Sequence, residues 1–168
     1  MTVQVRPAGL ADVAAIVAFG SSVVPPHYAP ILGEAVATRQ LAWWTAERMS
    51  AAVEARRVYV ATDGDALVGV SETGELAGRQ VIWKLYLAPD HRGRSLGPEL
   101  LRHAIAGLPV DCDQVFVEHV AGNTRAAAFY EREGFQLVPE PAWGAGIRHH
   151  VEEQRRWLPE PDQRVAMR

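Results

Sequence analysis

The chain has 168 residues, is 48% hydrophobic and carries a formal charge of -3, which fits one globular domain with a substantial core and gives no strong field for nucleic acid. A single cysteine, Cys112, excludes an internal disulfide and agrees with a reducing compartment. Nothing in the sequence sets a base beside that thiol, so it is read as buried or incidental and not as a nucleophile.

The opening, M-T-V-Q-V-R-P, has no signal-peptide pattern, and no run approaches the roughly 20 apolar residues of a membrane span. A cytoplasmic chain with no membrane partner is expected. Val3 to Val5 alternates as a first strand, closed by Arg6-Pro7. Leu10 to Phe19 sets Val13, Ile16 and Val17 on one helical face, with Gly20 as its stop. Ser21 to Pro30 holds three prolines with His27 and Tyr28; it reads as a loop that shapes a pocket, because proline breaks a regular helix.

Ile31 to Ala55 is rich in helix formers and predicts one long helix or two shorter ones. Trp43 and Trp44 are adjacent and so point about 100° apart on a helix, which keeps them from sharing one core stripe. They read as two partly buried aromatics, with one of them a candidate for a pocket wall or a subunit contact. Three strands follow, Arg57 to Thr62, Ala66 to Thr73 and Gln80 to Leu87, joined as antiparallel hairpins by a tight turn at Asp63-Gly64-Asp65 and by a longer turn that begins at Thr73-Gly74-Glu75.

Pro89 stops the third of these strands, and a helix starts at about Ser95 with Pro98 in its first turn, where the missing N–H is no loss. It runs over Leu96 to Ala106. Gln114 to Val120 is the next strand, apolar on both faces at Val115, Phe116 and Val117, as a sheet centre should be. A strand, helix and strand in that order call for a right-handed crossover and parallel pairing. Asn123 then caps a helix that Gly134 ends. A short strand from Phe135, a Pro/Gly-rich connection containing Trp143 and a last strand over Ile147 to Leu158 complete the domain, 1–158. The remainder, 159–168, is a polar tail.

A strand emptying into a helix N-terminus gathers free amides and the positive end of a dipole, which together make an anion site. Gly93 and Gly97 have no Cβ to block a phosphate, and Arg92 and Arg94 add charge. A diphosphate is the ligand this loop suggests. The P-loop and the dinucleotide-binding fingerprint are excluded by the absence of Gly-Lys-Ser/Thr and of the Gly-x-Gly-x-x-Gly spacing.

The run R-G-R-S-L-G, Arg92 to Gly97, resembles the acetyl-coenzyme A loop of the GNAT N-acetyltransferase superfamily, usually Arg/Gln-x-x-Gly-x-Gly/Ala. Ser95 stands where the first glycine of that pattern is expected, and is taken to keep a helical backbone and its amide. N-T-R-A-A-A-F-Y-E-R-E-G-F, Asn123 to Phe135, is similar to the second cofactor-contacting motif of the same superfamily, in which an Asn opens a helix and a Tyr follows seven residues on.

The resemblance implies an α/β fold: a mixed, mostly antiparallel sheet of six or seven strands flanked by helices, with a V-shaped splay between its central parallel strands. It implies acetyl transfer from acetyl-coenzyme A, as co-substrate and without a metal, to a primary amine of a small molecule or peptide. The protein would act as a monomer or homodimer. Pantetheine would pair with the backbone of Leu85, Tyr86 and Leu87, diphosphate would sit on Arg92, Gly93, Arg94, Ser95, Leu96 and Gly97, and Asn123, Ala126 and Tyr130 would complete the cofactor site. The Leu87 amide is the implied oxyanion donor. Tyr130 is the natural acid for the leaving thiolate, a phenol with a pKa of about 10.

No carboxylate lies on the strand before the loop, so the base is open between Glu118, His119, Glu72 and water. Glu118 and His119 face opposite sides of one strand. His149, His150, Glu152 and Glu153 cluster, but strand alternation divides them into pairs and leaves no zinc site. The rival reading is a catalytically silent acyl-coenzyme A sensor. An acetylator of aminoacyl-tRNA is disfavoured by the acidic balance.

Overall fold

A computed structural model describes residues 3–138 and the backbone of 153–158. Seven strands form one sheet in the order β1-β2-β3-β4-β5-β7-β6. They are β1 (Val3–Pro7), β2 (Val58–Asp63), β3 (Ala66–Leu76), β4 (Arg79–Leu87), β5 (Val115–Val120), β6 (Gln136–Leu137) and β7 (Glu153–Leu158). Only β4 and β5 run parallel; every other pair is antiparallel. The expected mixed, mostly antiparallel α/β sheet is therefore what the chain forms. Trp143, the segment 147–152 with His149, His150 and Glu152, and the tail 159–168 lie outside the described residues, as does the Glu153 side chain.

The helices are α1 (Val13–Leu32), α2 (Glu34–Arg39), α3 (Ala46–Glu54), α4 (Leu96–Ala106) and α5 (Thr124–Arg132). Strand alternation sorts the core into two layers. Val58 and Val60 of β2 join Ile16, Val24 and Met49 from α1 and α3, whereas Ala61 faces Leu96 and Leu100 of α4 on the opposite side. A further cluster packs α4 and α5 against β5 through Leu101, Ile105, Val115, Val117 and Phe135.

Four expectations from the sequence are corrected. Ser21 to Pro30 is helix, the second half of α1, with Pro25, Pro26 and Pro30 inside it. The carbonyls those prolines leave without a helical donor belong to Ser21, Ser22 and Pro26, all exposed residues, where water can satisfy them. Burial of Val23, Val24 and Tyr28 then outweighs the poor propensity.

Gly20 does not stop the helix: it is buried in α1, and a Cβ there would run into the Trp44 indole. Thr73-Gly74-Glu75, expected to begin the longer turn, is still part of β3, where Gly74 makes room for Trp83. The reversal comes at Ala77 and Gly78, whose φ values of 50° and 75° suit a tight hairpin. The long apolar stretch Leu10–Leu32, mean hydropathy 1.3, also meets the length and composition of a membrane span, contrary to expectation. Its buried face here is packed on the sheet.

Candidate active site

β4 and β5 pair only at Gln80–Val115, Val81–Phe116 and Ile82–Val117. One residue further on, β4 carries an extra position. Ile82 opposes Thr73 and Lys84 opposes Glu72, which leaves Trp83 as a bulge without a partner on β3. The bulge lies where the two parallel strands part, and beyond it they enclose a cleft of about 620 Å³.

Backbone directions on the β4 arm can be read from one bond. The Ala88 amide donates to the Val68 carbonyl of β3 at 2.8 Å. Successive amides of a strand point to opposite edges, so those of Leu87 and Leu85 point into the cleft. Tyr86 pairs with Val70, so its backbone turns toward β3 and it offers the cleft a side chain.

Below this arm the chain turns through Pro89–His91, tied back by His91 Nε2 at 3.2 Å from Asp63 Oδ2, and enters α4. The Ser95 side chain makes no capping bond. Pro98 has no N–H, so the unpaired donors of the first turn are the amides of Leu96 and Gly97. Gly97 lies close under its neighbours, since a Cβ would sit 3.2 Å from Phe129. Ser95 has φ 61°, ψ 4°, a left-handed conformation and not the helical one expected of it. Glycine takes that conformation without strain, which is a physical reason for the glycine usual at this place.

Arg92, Gly93, Ser95 and Gly97 line the cleft. The exposed Arg94 side chain does not, and the Leu96 side chain is buried in the core. Arg92 Nε–H donates to the Leu87 carbonyl at 3.3 Å. Burial, then the nearby Arg125 guanidinium, lower the Arg92 pKa. Two guanidinium groups near enough to repel each other, at a cleft that the positive end of α4 also lines, favour an anion there.

The β5 arm presents Glu118 and His119. His119 is buried; its Nδ1–H donates to the Val120 carbonyl at 3.0 Å, and its ring stacks on Tyr130 at 6.1 Å and 18°. Glu118 alternates to the other face and is half-buried. Glu72 is not among the residues that line the cleft and forms a buried ion pair with Lys84.

Asn123 caps α5, its Oδ1 accepting from the Ala126 amide at 3.1 Å. One face of that helix brings Asn123, Ala126 and Tyr130 to the cleft. Burial first, then Tyr28, push the Tyr130 phenol above its ordinary pKa. Among the described residues no three of His, Cys, Asp and Glu cluster as metal ligands.

Arg125 and Phe129 also line the cleft, though in the sequence Arg125 had no assigned role and Phe129 read only as a core aromatic. Arg125 had left a signal: a cation in the first turn of a helix opposes the dipole, and an anionic ligand would offset that cost. His27 and Tyr28 reach the cleft from α1, not from a loop.

A splayed parallel pair, a helix N-terminus at its mouth, and Arg92 and Arg125, which form no ion pair among the described residues, suit a phosphorylated, extended ligand. The chain belongs to the GNAT acetyltransferase family, whose acetyltransferase (GNAT) domain matches residues 54–137. Its fold is similar to that of the PaiA N-acetyltransferase of Thermoplasma acidophilum, solved in complex with coenzyme A: TM-score 0.79 at 16% identity, over 95% of this chain and 99% of that one. The ribosomal-protein-S18-alanine N-acetyltransferase of Escherichia coli aligns with TM-score 0.67 at 16% identity, over 95% and 94%. An acetyltransferase of Thermus thermophilus aligns with TM-score 0.65 at 20% identity, over 95% and 97%. No curated protein sequence matches the chain.

Proposed function

We propose that the protein transfers the acetyl group of acetyl-coenzyme A to a primary amine of a small molecule or a protein N-terminus. The observation that carries this reading is the convergence on one cleft of the Leu87 amide, the first turn of α4 at Ser95 and Gly97, and Tyr130. Coenzyme A bound to one neighbour, and a protein alanine named as acceptor in another, are in keeping with it.

In this reading diphosphate lies on the amides of α4 between Arg92 and Arg125, and pantetheine follows the Leu85 and Leu87 amides as a surrogate strand. The neutral amine attacks the thioester carbonyl, a C–N bond forms, and the oxyanion accepts from the Leu87 amide. The C–S bond then breaks, and the electron pair leaves on sulfur, which takes the proton of Tyr130. Burial keeps that phenol protonated across the neutral range, as an acid requires. Glu118 takes the amine proton, because it looks from β5 toward the side of the cleft nearest α1, whereas His119 is committed to Val120 and stacked on Tyr130.

A thiol-release assay with acetyl-coenzyme A across a panel of amines tests the proposal. Amine-dependent release is the expected result. Thermal stabilisation by the cofactor with no release from any amine would favour the silent sensor. Tyr130→Phe should lower kcat by roughly 10²- to 10⁴-fold with little change in cofactor affinity; unchanged kcat would remove Tyr130 from the reaction.

A further inference from the structure

The C-terminal half of α1 crosses the open end of the wedge, and two consecutive residues there reach different arms. Tyr28 Oη lies 3.0 Å from Tyr86 Oη on β4. His27 Nε2 lies 3.1 Å from Asn123 Nδ2, just after β5. We infer that His27 is a positioning residue, which holds the β5 arm and the start of α5 in place by accepting a hydrogen bond from Asn123. This rests on the reading above only in taking the wedge as the acyl-coenzyme A site.

The direction of that bond is fixed by counting donors and acceptors. Asn123 Oδ1 already accepts from the Ala126 amide, so the side chain cannot flip without losing the helix cap. Its Nδ2 is therefore the atom facing His27, and Nδ2 only donates. His27 Nε2 must then be the bare, accepting nitrogen, with the ring proton on Nδ1. Protonation of Nε2 would set two donors head to head and release Asn123, which is itself buried.

The surroundings keep the ring neutral. Burial, then Arg92 from the loop after β4 and Arg125 from α5, lower the His27 pKa. The rings packed on it are those of Tyr28 at 4.7 Å and Tyr86 at 6.5 Å. Since the folded value is below the ordinary histidine value of about 6.5, the bond is fully present above that pH. Its contribution is lost as pH falls from there through the folded pKa.

Two measurements test this. In the unliganded protein, nitrogen NMR of the imidazole should show the Nδ1–H tautomer of His27 at neutral pH; the Nε2–H tautomer would overturn the inference whatever the protein binds. By calorimetry, His27→Phe, which keeps a ring but cannot accept, should weaken coenzyme A binding roughly tenfold, about the cost of one unsatisfied buried donor. His27→Gln, whose carbonyl can take the place of Nε2, should restore binding to within about twofold, without the loss at acid pH. Equal affinity in His27→Phe and the native protein would refute the inference. If the native protein failed to bind coenzyme A at all, the acetyltransferase reading would fall, while the tautomer would still decide the role of His27.

Discussion

Lys84, the only lysine in the chain, is buried beneath the Trp44 indole, 5.2 Å from the ring centroid, and is paired with Glu72. Removing one partner of a buried pair strands the other charge. Lys84→Met should therefore cost about 3–5 kcal/mol in urea unfolding, and Glu72→Leu combined with Lys84→Met should recover most of it. Ser95 stores strain on a smaller scale. Its left-handed backbone costs roughly 1–2 kcal/mol, so Ser95→Gly should stabilise the fold, with part of the gain offset by the freer unfolded chain. A fall in melting temperature would refute that. That Arg92, Gly93, Ser95, Gly97 and Tyr130 would meet at one cleft was legible from residue types and their spacing. His27 was not, because its role depends on Asn123, 96 positions away.

The helices differ in how far local chemistry decides them. α4 was legible to the residue, because Pro98 and a loop glycine mark its start and a hydrophobic stripe defines its face. α1 was not, because whether its prolines are tolerated depends on which carbonyls meet water, a property of the packed molecule. The same helix shows how a glycine can mislead. Gly20 looked like a stop, yet it makes room for the side chain that also covers Lys84. Gly20→Val should therefore destabilise by overpacking, by about 1–3 kcal/mol, read as a lower melting temperature. An unchanged transition would show that α1 can shift away from Trp44. Gly74 is a parallel case: the turn expected to begin there is confined to Ala77 and Gly78.

Across the whole molecule, a short strand-to-strand junction separates two larger pieces of sheet, β1 to β4 on one side and β5 to β7 on the other. The parallel pairing was legible from the strand-helix-strand order, but the bulge at Trp83 was not, since no glycine or proline marks it. Acetyl-coenzyme A at about 100 times its Kd should stabilise the fold by about 2.7 kcal/mol. Hydrogen exchange should slow mainly at Leu85, Leu87, Leu96 and Gly97; protection spread evenly over the sheet would argue against the wedge as the binding place. The junction is three rungs long, Gln80 to Ile82 against Val115 to Val117. A strand advances about 3.3 Å per residue, so the floor of the gap can move only in steps of that size. Reactive groups displaced by about 1 Å can already lose about 10²-fold in rate. The ladder is thus a ruler with coarse notches: how deep a thioester can reach is set by counting backbone rungs, a discrete trait that gradual side-chain replacement cannot adjust.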